Sequence, residues 1–465
     1  MAEIILSGKP LAVSPLKVSQ PVGASLAFLG LARAMPLEHG ARGCTSFNKL
    51  FFMRHFQEPI ALQTTAMDEV ATVIGADGNV VEALRTIAER NAPDVIGLLT
   101  TALSETQGAD IPSTIHVFRE RFPEHDGITV VPVSASDTLG CLETGFAAAV
   151  EAIIAAMVPE TPSAVRRPRQ VNVLASSMLS PADVEAIKEW VEAFGLHPVM
   201  LPDIGDSLDG HMIEEGFSTV TYGGTSRTDI AAMGESIATL VIGTSLHRAA
   251  DLLRDRTGVP DHRFASVSGV EACDAFTTAL SEIARRCVPA RLERQRAQLI
   301  DAMVDCHFQL GGARIAVAAD ADLLEATIRF LLGTGAEVVA SVAAARTRGL
   351  ADLPVDRVVV GDLEDLETLA REAGAELLVA NSHGADVAVR LGVPLLRAGF
   401  PLSDIYGGHA RCLVGYRGSR QMLFDIANLL AARQRAVAPY RSLYWQGTPR
   451  DLEVVATVPA AIAAH

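Results

Sequence analysis

Among the six cysteines of this 465-residue chain, Cys44 stands in the surroundings best suited to a thiolate. It follows Gly43 and has His39, Arg42, Lys49 and Arg54 nearby, a basic setting in a chain whose formal net charge is -16. The thiolate is the form of cysteine that binds metal or attacks an electrophile, and neighbouring positive charge lowers the cost of making it. Gly43 lets the backbone come close to whatever the sulfur binds. A single thiolate does not hold an iron-sulfur cluster, which takes four ligands, so a cluster at this position would draw the others from elsewhere. Taken alone, Cys44 also fits the blander role of a small buried hydrophobe.

The other five cysteines, Cys141, Cys273, Cys287, Cys306 and Cys412, lie on apolar patterns and read as core residues, with no C-x-x-C pair among them. Cys306 and His307 are adjacent on a helical pattern, where neighbours point about 100° apart and do not converge on one metal. Gly333-Thr334-Gly335 follows a helix and precedes a strand, the reverse of a phosphate cradle, and reads as a helix C-cap turn. Asn381-Ser382-His383-Gly384 and the stretch around His247 and Arg248 both follow strands, the side on which open parallel sheets bind ligands. The first of these fits either a ligand contact or a helix cap. The glycine-rich loops Tyr222-Gly223-Gly224-Thr225-Ser226 and Tyr406-Gly407-Gly408-His409 read as turns that could also approach a partner.

These residues need a scaffold, and the chain is long enough for about three domains. Hydrophobic content of 49% against 20% charged says globular. Apolar strand-like runs alternate with amphipathic helical ones throughout, which predicts an α/β fold of parallel sheets covered by helices on both faces. The predicted strands are 93–99, 127–133, 171–175, 197–201, 239–243, 263–267, 314–319, 337–342, 358–361, 376–380 and 394–397. Helices are expected over 79–89, 144–157, 270–308 with a break at Pro289, and 421–437, with Ser180-Pro181 opening another. The proline-rich stretch 158–169 reads as a linker. The domains expected are 1–165, 166–308 and 309–465, the last ending in a loose tail from Val458.

The acidic balance speaks against a nucleic-acid partner. No run of about 18 uncharged apolar residues is seen, and the first ten residues lack a secretory pattern, so the expectation is a cytoplasmic protein with reduced thiols and no membrane span.

Several ordered blocks also carry a resemblance. Ser19-Gln20-Pro21-Val22-Gly23-Ala24, Met35-Pro36-Leu37-Glu38-His39-Gly40, Gly43-Cys44 and Arg54-His55-Phe56-Gln57-Glu58-Pro59 resemble the cluster-binding region of the nitrogenase molybdenum-iron protein family. The likeness continues through Ser136-Asp137-Thr138-Leu139-Gly140, 201–210, 292–298 and 381–384, and is strongest to the branch that assembles the iron-molybdenum cofactor. In the catalytic beta subunit of that family three cysteines of this domain help to hold the P-cluster. At those positions this chain has Ser19, Cys44 and Ala102. A methyl group does not ligate iron and a serine hydroxyl is a poor substitute for thiolate, so one ligand of three is kept.

The resemblance implies three doubly wound, Rossmann-like domains around a central cleft. It implies a scaffold subunit in which Cys44 supplies one ligand to a [4Fe-4S] cluster and three cysteines of the homologous E subunit (NifE) supply the rest, in a heterotetramer with two copies of each. The same resemblance implies that a transient iron-molybdenum cofactor precursor arrives from the radical enzyme NifB, is held mainly by the partner, and matures with the help of the nitrogenase iron protein (NifH). Such a subunit is closer to an assembly scaffold with an electron-transfer role than to a stand-alone enzyme. Other readings are a catalytic nitrogenase beta-like or related reductase subunit, a tandem-domain nucleotide-sugar transferase, for which no phosphate loop is found, and a periplasmic-type binding module.

Overall fold

The computed structural model describes residues 1–9, 12–136, 138–160, 165–210, 218–434 and 444. The tail from Val458, the last residues of the expected 421–437 helix, Asp137 and residues 161–164 of the expected linker lie outside the described residues.

The chain begins with a strand that belongs to its last sheet. Strand β1 (Glu3–Leu6) pairs in parallel with β12 (Arg357–Val360), from Glu3 opposite Arg357 to Leu6 opposite Val360. Lys9 then ties the segment down by ion pairs of 2.6 Å to Asp362 and 3.0 Å to Glu364. Asp362 also accepts the backbone N–H groups of Val13 and Ser14. Burial opposes ionisation of Asp362, yet Lys9 and these amides together hold its carboxyl well below the usual carboxylate range. Nothing in the sequence reading assigned this strand.

Two four-stranded sheets follow. The first contains β2 (Ala34–His39), β3 (Gln63–Thr64), β4 (Val95–Thr100) and β5 (Thr129–Val133) in the order β3-β2-β4-β5. The second contains β6 (Gln170–Ala175), β7 (His197–Leu201), β8 (Ala238–Ile242) and β9 (Asp261–Phe264) in the order β7-β6-β8-β9. A six-stranded sheet of β10 (Arg314–Ala319), β11 (Glu337–Ala343), β12, β13 (Leu377–Ala380) and β14 (Leu395–Arg397) takes in β1, in the order β1-β12-β11-β10-β13-β14. Every strand pairing is parallel. Parallel sheets carry helices on both faces, and the fully buried β4 and β13 show the nearly continuous apolar pattern this imposes, while β6 buries Gln170 and Asn172 on hydrogen bonds to the carbonyls of Ala232 and Met233.

The long helical pattern 270–308 divides into helices Val270–Ala284 and Ala290–Leu310, with Arg285 in the left-handed conformation at the break and Pro289 capping the second helix. The expected linker is anchored where it is described: the Arg166 guanidinium donates to the carbonyls of Gly234, Ser236 and Thr257 in the second unit.

Taking each sheet with the helices that follow its strands as one unit, the three units meet at a buried carboxyl cluster. Asp322, in the first turn of helix Ala321–Gly333, accepts from Thr244 Oγ1 at 2.7 Å, Ser245 N at 3.0 Å and Ser245 Oγ at 2.5 Å. Its own N–H donates to Glu143 Oε2 at 2.7 Å, in the first turn of helix Leu142–Met157. Gly243 makes the approach possible: at φ +104° its backbone favours glycine, and a Cβ there would lie 2.4 Å from Asp322 Oδ2.

Candidate functional site

Cys44 lies in the first turn of the helix that follows β2, here α2 (Arg42–Phe56), counted after α1 (Gln20–Leu29). The cysteine is exposed. Its helix starts at Ala41 with no side-chain cap, so the first-turn N–H groups and the positive end of the helix dipole favour negative charge there. The other two positions of the family pattern share this placement. Ser19 is the N-cap residue of α1, and Ala102 is the first residue of helix Ala102–Gln107, capped by Thr101. Strands β2 and β4 pair His39 with Thr100, so the turns bearing Cys44 and Ala102 leave the same sheet edge side by side. Thr101 Oγ1 fastens them, donating to the His39 carbonyl at 2.9 Å.

The basic setting read from the sequence is only partly present. His39 is fully buried, and burial pulls its pKa down to about 4, so it is a neutral ring at neutral pH. Arg54 stands in the last turn of α2, ten residues and roughly 15 Å along the axis from Cys44. Proximity in sequence misled here because the segment is a helix. Of the four basic residues, Arg42 alone shares the first turn with Cys44.

Beneath the turn, Glu38 accepts from Ser25 Oγ at 3.2 Å and Asn48 Nδ2 at 2.8 Å, and His39 Nδ1 contacts Thr65 Oγ1 at 2.9 Å. The buried His39 Nε2 and Thr45 Oγ1 find no hydrogen-bond partner among the described residues. Outward, α2 breaks the usual amphipathic rule. Phe47, Leu50 and Met53 are 66%, 46% and 46% exposed, although Thr45, Phe52, His55 and Phe56 already fill the inward face. A cysteine with an apolar stripe beside it on an exposed helix marks a surface suited to contact with another molecule. Among the described residues no three His, Cys, Asp or Glu side chains are gathered as a metal would need.

The remaining candidates are structural. Asn381 caps the turn after β13, accepting from His383 N at 3.1 Å and donating to the Phe400 carbonyl at 3.0 Å. Ser382 Oγ donates to Asp404 and accepts from Ser403 N, and the His383 ring meets Phe51 with centroids 6.3 Å apart. His247 begins helix His247–Thr257, with its pKa lowered by burial and by Arg263, while Arg248 pairs with Glu151 on the surface. Thr244 and Ser245, in the turn after β8, spend their hydroxyls on Asp322. In the Tyr222–Ser226 loop the Gly224 N–H donates to Asp206 and Thr225 Oγ1 donates to the Met200 carbonyl, which explains the loop as a turn. Cys141, Cys273 and Cys306 are buried as expected and Cys412 is half-buried, but Cys287 is exposed in the break between two helices. Among the described residues no helix is long and apolar enough to cross a membrane.

The sequence reading passed over the carboxyl cluster of Glu143, Asp320 and Asp322. Its signal was present in Ala319-Asp320-Ala321-Asp322, two acids where a strand gives way to a helix. Only one of them is needed there as a cap.

Comparison with known proteins agrees with this arrangement. Residues 19–431 match the family described as nitrogenase component 1 type oxidoreductase. The nitrogenase iron-molybdenum cofactor biosynthesis protein NifN of Klebsiella pneumoniae is 48% identical over 442 residues, covering 95% of this chain and 96% of that protein. Its counterpart of the same name in Bradyrhizobium diazoefficiens is 41% identical, covering 97% and 96%. A solved chain described as nitrogenase Cp1 at pH 6.5 superposes with a TM-score of 0.87 at 31% identity, covering 94% of this chain and 96% of that one. A second, from nitrogenase Cp1 at pH 5, shares the fold with a TM-score of 0.68 at 13% identity.

Proposed function

We propose, for a chain that belongs to the nitrogenase component 1 type oxidoreductase family, that it is a scaffold subunit for assembly of the nitrogenase iron-molybdenum cofactor and that Cys44 is its one ligand to a [4Fe-4S] cluster shared with a NifE-type partner. The observation that carries this reading is the placement of Cys44. It is exposed at an uncapped helix N-terminus, beside the turn that carries Ala102, and Ser19 stands at the N-cap of α1 where the pattern has another thiolate. A chain with one suitable donor at a surface can only complete a four-thiolate site across an interface. The exposed Phe47, Leu50 and Met53 supply apolar area for that contact.

In this reading the first turn of α2 presents the sulfur and its N–H groups favour its charge. The buried network of Glu38, Asn48 and Ser25 keeps the turn from moving when the partner docks. When bound, the cluster supplies reversible one-electron transfer, which suits a relay between the nitrogenase iron protein (NifH) and a precursor delivered by NifB. The relatives' names speak for assembly over catalysis: proteins named for cofactor biosynthesis are 41–48% identical, whereas the nitrogenase chain is 31% identical.

The test is Cys44→Ala in the complex purified without oxygen together with its partner. The side chain is exposed, so the fold should survive while iron content falls and the electron paramagnetic resonance signal of the cluster is lost or altered. Unchanged iron and an unchanged signal would overturn the assignment.

A further inference from the structure

At the opposite end of α2 from Cys44 a second feature is independent of the cluster. His55, 8% exposed, lines a cavity of about 50 Å³ where the three units come together, behind the carboxyl ends of β6 and β14. Ligands of parallel-sheet proteins collect at that end of the strands. The ring is held by Phe56 and Phe400, with centroids 4.4 and 4.7 Å away. Its Nδ1 accepts the Leu402 N–H at 2.8 Å. A backbone amide can only donate, so the neutral ring carries its proton on Nε2. That Nε2–H makes no hydrogen bond among the described residues.

The tautomer determines what the cavity can take. A protonated Nε2 has no lone pair for a metal, so the group it faces must be a hydrogen-bond acceptor. Two guanidinium groups, Arg397 and Arg411, line the same cavity. Arg397 uses Nε and Nη2 on Asp404, and Arg411 uses Nη2 on Asp425, which leaves Nη1 of each without a hydrogen bond among the described residues. Asp183, the acid on the cavity wall, has its oxygens engaged by the N–H groups of Ser180, Leu413 and Val414, and burial pushes its pKa up, toward the uncharged form. Among the charged side chains of the lining, donors therefore outnumber acceptors. A water needs roughly 10–15 Å³ of such space, so about 50 Å³ holds three to five heavy atoms and no bulky cofactor.

We propose that this cavity binds a small carboxylate or oxyanion, with the His55 Nε2–H as the central donor and the Arg397 and Arg411 guanidinium groups at its mouth. The apolar walls orient the ligand and the three donors select its charge, the usual division of labour in a small-molecule site.

The experiment uses the protein in its native assembly, titrated calorimetrically with sodium acetate or sodium selenate against sodium chloride at constant ionic strength. Saturable binding of one acetate or selenate per chain is expected, and whichever probe binds identifies the planar or the tetrahedral form. His55→Asn keeps an acceptor for Leu402 and removes the Nε2 donor, so it should weaken binding at least tenfold. A selenate-soaked crystal of the unaltered protein gives a second readout that does not depend on the variant folding: the selenium peak should lie inside the cavity, with a selenate oxygen within hydrogen-bond distance of His55 Nε2. No saturable binding, an anomalous peak elsewhere, or equal affinity in a folded His55→Asn would overturn the proposal.

Discussion

Replacing Asp322 by alanine should loosen the joint between the second and third units. The carboxyl group is 1% exposed and accepts three hydrogen bonds, from Thr244 Oγ1, Ser245 N and Ser245 Oγ. A typical hydrogen bond contributes about 1 kcal/mol net, and a buried donor left unsatisfied costs about 1–3 kcal/mol. The Ser245 N–H cannot turn elsewhere and bears the full penalty, whereas the two hydroxyls can rotate toward water because Thr244 and Ser245 are only half-buried. Part of the loss is returned, since Asp322 is one of the charges, after burial itself, that push the Glu143 pKa well above its usual range. The net expectation is roughly 3 kcal/mol for Asp322→Ala. Asp322→Asn keeps an acceptor for the amide and a donor that Ser245 Oγ can accept, so it should lose about 1 kcal/mol. Denaturant unfolding should be read with probes in each unit, because a multidomain chain need not unfold in one step. An alanine variant with wild-type midpoints, or an asparagine variant equally damaged, would refute the role assigned to this carboxyl.

Four other outcomes follow from the geometry. Asp320 is pushed up from 3.8 to about 6 by burial and, to a lesser degree, by Asp322, so the folded state binds its proton more tightly than the unfolded chain does. The resulting stabilisation is complete below the unfolded value and lost as pH rises through about 6; Asp320→Asn should therefore gain on the wild type between about pH 4 and 6.5 in thermal melts, and a pH-independent difference would contradict this. Gly243→Ala should cost several kcal/mol or prevent folding, because its Cβ would lie 2.4 Å from Asp322 Oδ2 and 2.5 Å from Ser176 at a positive φ; soluble expression and melting temperature check it. Removing residues 1–9 deletes β1 and the Lys9 ion pairs, and should raise amide exchange in β12 while leaving β2 and β4 protected. Phe47→Asp should leave the melting curve of the isolated chain within about 0.5 kcal/mol of wild type, as expected for an exposed site, yet release the partner on size-exclusion chromatography.

The strands read from the sequence are those from β4 to β14, the partly exposed β5 and β9 among them, whereas β2, buried along its whole length but interrupted by Pro36 and Glu38, was not read as a strand. β4, β6, β8, β10 and β13 are short apolar runs with helical patterns between them, and the structure has strands at each. β1 escaped because half of its identity lies in a partner 350 residues away; four residues at a chain end carry little periodicity. Helix α2 escaped for a different reason. Its sequence is apolar on both faces, with Phe47, Leu50 and Met53 outside and Phe52 and Phe56 inside, so no amphipathic period stands out. Cys44 was legible through its local pattern of glycine and family-like blocks, but its electrostatic setting was not, because linear spacing says nothing of which neighbours a helix turns inward. His55 stood in plain view between Arg54 and Phe56. Its importance depends on the Leu402 amide and the arginines of the third unit, contacts that no local pattern encodes.

The two ends of α2 impose opposite demands. At its start the chain leaves a thiol exposed on an uncapped turn, where the positive end of the helix dipole acts on the sulfur. At its end His55 and Phe56 are 8% and 2% exposed and clasped by residues 400–409 of the third unit, through the Leu402 amide to His55 Nδ1 and His409 Nδ1 to the His55 carbonyl. A helix fixed firmly at one end and free to be covered at the other is a lever with its pivot in the core. On the proposed reading, a load placed at Cys44 by docking would be resisted at His55, about 16 Å along the axis, by groups from a different unit. The third unit thus holds the far end of the helix that carries Cys44. Substitutions at Leu402 or Phe400 should accordingly disturb any cluster signal that depends on Cys44 while leaving the thiol itself in place.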